Sequence, residues 1–168
     1  MGLVLHAAVA VAEPPRPEPR GFVGLGLHFS QTQNLWTSAA FVLEGGVDVP
    51  GLPLRGRAFV SLAGGTVQSD WSGDFSRYGL GVEARPCWKA LCGIAGFDFG
   101  HERMTLVDNF DREMLRSGPI LGVRFGIDVG PPRVRFRFAI ERYWFKTHHE
   151  PAVWMSNPGV TFDVAYQF

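Results

Sequence analysis

Apolar and polar residues alternate with a period of two over most of the chain, beginning at Gly21. A strict two-residue period is the mark of a strand with different surroundings on its two faces. Eight such segments can be marked out. They run over Gly21–Ser30, Ser38–Val49, Leu54–Gly65, Arg77–Cys87, Cys92–Glu102, Ile120–Gly130, Val134–Trp144 and Gly159–Phe168. In the last, Val160, Phe162, Val164, Tyr166 and Phe168 share one face, and Thr161, Asp163, Ala165 and Gln167 share the other. Each segment is about ten residues long, which suits a tilted strand crossing a bilayer better than the five or six typical of soluble sheets. Helix signals are weak, and Glu102–Arg116 is expected to be an extended hairpin tip.

The connections alternate in length. Tight ones are expected at Pro50–Pro53, Trp88–Leu91 and Gly130–Arg133; longer polar ones at Gln31–Thr37, Thr66–Ser76, Arg103–Pro119 and Phe145–Pro158. Short turns at one end and long loops at the other describe an outer-membrane barrel, with the short turns periplasmic. Two registers follow from the tight turns: Asp48 opposite Arg55, and Asp128 opposite Arg135.

The polar phase decides which face points inward. It holds Glu44, Asp48, Glu83, Asp98, Asp128, Glu141 and Asp163 against Arg55, Arg57, Arg77, Arg85, Arg124, Arg135 and Arg137. Glycines fill much of the rest of that phase, among them Gly24, Gly26, Gly79, Gly81, Gly96, Gly122 and Gly126. A solvated face has no need to be small and charge-matched. The inside of an eight-stranded barrel needs both, because its side chains share little room and each buried charge needs a partner.

Composition sharpens this picture. The 168 residues fit one domain, and 16 basic residues balance 16 acidic ones, which gives no electrostatic case for nucleic acid. Mean hydropathy is +0.03, and no apolar run approaches a membrane-spanning helix. Lysine occurs only at positions 89 and 146, so the basic residues are almost all arginine, the cation suited to confined pairing with carboxylates. Residues 1–12 read as a secretory signal, with an apolar Leu3–Val11 and an Ala10-Val11-Ala12 cleavage site but without a basic start. A disordered tail is the alternative. Residues 13–20 read as a Pro-rich linker and 21–168 as the barrel.

Cys87 and Cys92 flank a tight turn on one face. A disulfide is favoured over two free thiols or half a metal site, since the spacing is a poor zinc signature. Trp36, Trp71, Trp144 and Trp154 fall near the long-loop ends, and Trp88 and Phe168 near the short-turn end, as interfacial aromatics would.

Taken together, the eight segments and the final strand resemble the small eight-stranded outer-membrane barrels, the family of the OmpA transmembrane domain and OmpX. The resemblance covers Gly21–Phe168 and includes a C-terminal pattern of Gly159, Phe162, Val164, Tyr166 and a terminal Phe168. It implies an all-β, antiparallel up-and-down transmembrane barrel in a bacterial outer membrane. It also implies the barrel-assembly machinery as a partner, outer-membrane lipid and lipopolysaccharide as surroundings, and a monomer without cofactor. The expected role is non-enzymatic, in membrane integrity or surface adhesion. Two alternatives stand beside it. Lipid A deacylases are barrels with a His-x-Ser pair, and His28-Phe29-Ser30 supplies one here. That family's motif, however, lies on a later strand and faces lipid, whereas these residues take the inward phase. A soluble lipocalin-like barrel would instead turn the Phe-rich face inward. His148-His149-Glu150 and the Asp pairs at 70/74 and 108/111 lack metal-site geometry. Arg142 takes the outward phase near the loop end, where it can meet lipopolysaccharide phosphates, mark a local bulge or simply snorkel.

Overall fold

The structure, a computed structural model, describes residues 21–32, 36–68, 71–108, 113–146 and 154–168. The proposed signal and linker, the His148-His149-Glu150 loop, Asp70 and Asp111 lie outside them. Among the described residues there are nine strands and no helix: β1 Gly21–Thr32, β2 Trp36–Asp48, β3 Leu54–Gln68, β4 Trp71–Ala84, β5 Cys87–Trp88, β6 Leu91–Asp108, β7 Glu113–Val129, β8 Val134–Lys146 and β9 Trp154–Gln167. β5 is a two-residue stub on the β6 hairpin, so the wall has eight strands, each antiparallel to its neighbours in sequence.

The sheet closes where β9 pairs with β1. Closure runs to the last residue: Phe168 N–H donates to Gly21 O and Gly21 N–H donates to Phe168 O, both at 3.0 Å. In lipid no water is available to satisfy an unpaired edge, so a closed seam is what the surroundings demand. The ladder also fixes the barrel's shape. Stepping from Gly24 through Glu44, Phe59, Gly79, Gly100, Ile120 and Phe145 arrives at Met155, ten residues away from Ala165, the partner of Gly24 across the seam. That stagger over eight strands tilts them by roughly 40° and leaves an interior that side chains fill.

The faces fall as the alternation predicts. Leu80 is 67% exposed, Phe41 69% and Phe125 60%, whereas Arg55, Arg124 and Asp128 are 0% exposed. The Phe-rich face therefore points outward, which overturns the lipocalin-like alternative. A water-facing barrel would leave this belt of Leu, Val, Ile and Phe unburied, far more than a soluble surface tolerates.

The strands run further at the loop end than the alternation suggests. β4 and β6 pair up to Trp71↔Asp108, and β6 and β7 up to Val107↔Glu113. Most of the expected loops at Thr66–Ser76 and Arg103–Pro119 are thus ladder, and the second forms the extended hairpin anticipated there. At the other end β4 stops at Ala84, earlier than Cys87. Pro86 cannot donate to the ladder, although its carbonyl accepts from Gly93 N–H at 2.9 Å. The tight turns are present, with Gly51 (φ 76°) and Lys89 (φ 56°) in the left-handed region.

Candidate functional site

The inward face is the part of this molecule with chemistry, and its groups stack in layers along the barrel axis. In the layer at the short-turn mouth, Arg55 Nε donates to Asp48 Oδ1 at 2.6 Å, across the predicted Asp48↔Arg55 register. Asp128 accepts from Arg85 Nε at 2.7 Å and from Arg135 Nε at 2.5 Å. The second predicted register is shifted: Asp128 sits opposite Arg137, and Val129 opposite Phe136. Arg135 still reaches Asp128 diagonally, because its guanidinium folds back into the turn and donates to Gly130 O at 2.6 Å and Asp128 O at 2.8 Å.

The middle layer is a shared network. Glu44 lies 3.4 Å from Arg57 Nη1 and 3.3 Å from Arg124 Nη1, and it also accepts a short bond from Arg137 Nη1. Arg137 Nη2 in turn donates to both oxygens of Glu83, at 3.2 and 3.1 Å. Glu141 pairs with Arg124 at 3.3 Å, Asp98 with Arg57 at 3.5 Å, and Asp163 with Arg137 at 3.7 Å. Each carboxylate therefore faces at least one guanidinium, the condition under which buried charge is tolerable. The arginines also lie over rings: Arg55 stands 4.1 Å from the Phe22 centroid, which adds a cation–π contact.

Toward the loop end the interior changes character. Arg77 donates to Glu102 Oε2 from Nε at 3.1 Å and Nη2 at 2.8 Å, and it lies 4.0 Å from the Tyr143 ring centroid. Tyr143 O–H donates to Asp98 Oδ2 at 2.9 Å. His28 Nδ1 lies 3.0 Å from both Thr161 Oγ1 and Glu141 Oε2. Beyond these, two apolar clusters line the interior: Phe59, Ile120, Tyr143 and Phe145, and then Ala40, Phe75 and Met104. Glycines make the room. The Tyr143 ring lies where a Cβ on Gly122 would stand, and the Asp98 carboxylate lies where one on Gly81 would stand.

All fourteen network residues expected from the sequence point inward together. Glu102, Tyr143, His28 and Thr161 belong with them and were not in that set. Glu102, Tyr143 and Thr161 continue the inward phase of Asp98, Glu141 and Asp163, which was the available signal. His28 and Ser30 are buried inside the barrel, so this pair does not meet lipid as the deacylase motif does. Cys87 and Cys92 are joined; Cys87 is exposed and Cys92 buried. Of the expected interfacial aromatics, Trp88 and Phe168 are exposed at the short-turn rim, and Trp144 is half-buried near the loop end. Arg142 is exposed on the outer wall and donates to Ser156 Oγ from Nε at 3.3 Å and Nη2 at 3.0 Å.

Gly159 abuts the His28 ring, while Phe162, Val164, Tyr166 and Phe168 all lie on the outer wall. Among the described residues no group of three or more His, Cys, Asp or Glu side chains is arranged to hold a metal.

No protein-family model matches the sequence, and no curated protein matches it. Solved structures do. Neisserial surface protein A superposes with a TM-score of 0.70 at 9% identity, over 88% of this chain and 96% of that one. Ail, the attachment invasion locus protein of Yersinia pestis, gives 0.56 at 12% identity, over 90% and 99%. The N-terminal β-barrel domain of Pseudomonas aeruginosa OprF gives 0.53 at 11% identity, over 87% and 99%. At such identities the likeness is one of fold, and the fold is that of the small eight-stranded outer-membrane barrels.

Proposed function

We propose that this eight-stranded outer-membrane barrel is a non-enzymatic envelope protein whose wall and interior form a rigid stand for its loop-end hairpins. In this reading it sits as a monomer in a bacterial outer membrane, with the short turns in the periplasm. It acts there in membrane integrity or in attachment to surfaces.

One observation carries the proposal: the interior is occupied by mutually paired charges and apolar clusters, while the hairpins β3–β4 and β6–β7 continue as paired ladder past the apolar belt. A filled barrel spends its interior on rigidity. What remains for recognition is the elevated hairpin end, whose outer wall carries Asp74, His101 and Arg103 in place of apolar residues. Ail, named as an attachment invasion locus protein, shares the architecture and supports attachment as the kind of role. Outer-membrane lipid and lipopolysaccharide are the proposed surroundings, and Arg142 is placed to meet a lipid phosphate from the outer wall. The assembly machinery is the proposed partner of the last strand, through its outward Phe162, Val164, Tyr166 and Phe168.

The test is to display the protein on cells lacking it and replace residues 109–112 and 147–153 with Gly-Ser segments. Loss of surface attachment with an intact barrel supports the proposal; attachment and envelope permeability both unchanged from cells without the protein would refute it. A lipid A-modifying enzyme is the competing activity. Ser30→Ala is expected to leave the lipid A acylation pattern of such cells unchanged.

A further inference from the structure

We propose that Cys87–Cys92 is a thiol-exchange site that reacts in one direction: an incoming dithiol attacks Cys87, and Cys92 leaves as a thiolate held by Arg135.

The site lies at the short-turn mouth, where a cavity of about 690 Å³ is lined by both cysteines together with Asp48, Arg85, Lys89 and Arg135. The two sulfurs have different surroundings. Cys87 is exposed, whereas Cys92 is 2% exposed. Arg135 Nη2 lies 3.3 Å from Cys92 Sγ. Its guanidinium is already fixed by Asp128 Oδ1 at 2.5 Å, Asp128 O at 2.8 Å and Gly130 O at 2.6 Å. It therefore stands beside the nascent charge without having to move.

Two requirements of disulfide exchange are access to the attacked sulfur and stability of the leaving thiolate. Here both select the same bond polarity. Asp128 does not cancel the effect, because it is shared between Arg85 and Arg135. Around the mouth, Arg55, Arg85, Lys89 and Arg135 face Asp48 and Asp128, with Glu83 deeper in the barrel 3.7 Å from Arg55. This positive surplus favours a thiolate.

A partner thiolate bonds to Cys87 Sγ, the Cys87–Cys92 bond breaks, and its electron pair leaves on Cys92 Sγ. The partner's second thiolate then attacks the partner sulfur of the mixed disulfide and releases Cys87 as a thiolate. The partner departs as an internal disulfide, two electrons having passed to the two cysteines. The substrate class is a small dithiol or a dithiol oxidoreductase that can enter the mouth.

The experiment uses the full chain folded in lipid, treated with glutathione and quenched with iodoacetamide, followed by peptide mass mapping. Glutathione on Cys87 and the alkyl group on Cys92 are expected. The reverse labelling overturns the proposal, and so does a disulfide that glutathione opens only after the barrel unfolds. Separately, the rate of opening by dithiothreitol is compared for wild type, Arg135→Gln and Arg135→Lys, each first shown to run as a folded barrel. Arg135→Gln is expected to slow opening by about threefold or more, with Arg135→Lys recovering part of the rate. Equal rates in all three overturn the role of Arg135. Should the Gln variant not fold, the mapping on wild type and the Lys variant still decide.

Discussion

Glu44 is the carboxylate on which the middle of the barrel converges, which makes Glu44→Gln the sharpest test of the interior network. Its side chain faces Arg57, Arg124 and Arg137 and is almost fully buried. The amide keeps the shape and removes the charge, leaving three guanidiniums with fewer counter-charges. Glu83 remains for Arg137 at 3.1 Å, Glu141 and Glu83 remain for Arg124 at 3.3 and 3.6 Å, and Asp98 remains for Arg57 at 3.5 Å. Because these second partners persist, the loss belongs at the lower end of the 3–5 kcal/mol typical of a broken buried pair, about 3 kcal/mol. Arg137→Met removes one guanidinium and one positive charge. Combined with Glu44→Gln it restores the balance, so the double variant is expected to lose at least about 1 kcal/mol less than the sum of the single losses. The assay is reversible urea unfolding in lipid vesicles, followed by tryptophan fluorescence. A Glu44→Gln variant within about 0.5 kcal/mol of wild type, or fully additive losses, would refute a network held by shared charge.

Other consequences of the same arrangement are equally direct. Phe125→Arg places a cation in the lipid-facing belt between Ala95 and Ile140, and is expected to cost about 2–4 kcal/mol in the same unfolding assay. Gly122→Val pushes into the Tyr143 ring and is expected to cost about 1–3 kcal/mol by overpacking; near-UV circular dichroism should report the displaced tyrosine. Deleting Phe168 removes both hydrogen bonds that end the seam at Gly21 and should slow folding into vesicles, read as the rate at which the compact gel form appears.

How far the sequence speaks for this fold follows from where its two faces meet different media. Inside the belt, each outward Leu, Val or Phe contrasts with an inward Arg, Glu or Gly, and the strand phases are plain. Past Phe99 the outward positions of β6 become His101, Arg103 and Thr105, so the contrast vanishes although the ladder continues to Asp108. Glu102 and Tyr143 were overlooked for related reasons. Glu102 lies where the outward signal has faded, and Tyr143 is an amphipathic residue whose place inside depends on the room left by Gly122 and on a bond to Asp98. The Asp128 register eluded the sequence because it assumed a compact turn with strands closing at Val129 and Val134. Arg135 instead spends its donors on turn carbonyls, and pairing of β7 with β8 begins at Phe136. The charge-matched set was legible as a set, since parity alone assigns it to one face. Which carboxylate serves which arginine was not, because that depends on neighbours brought together by closure, such as Glu44 and Arg137.

In this barrel the apolar face meets lipid and the charged face is the core. The most direct measurement is to refold the chain with and without lipid vesicles and run each sample, boiled and unboiled, on a denaturing gel after protease treatment. A protease-resistant form with shifted mobility when unboiled is expected, obtained only when lipid is present. A stable, monomeric fold in plain buffer, with no mobility shift and no need for lipid, would contradict it.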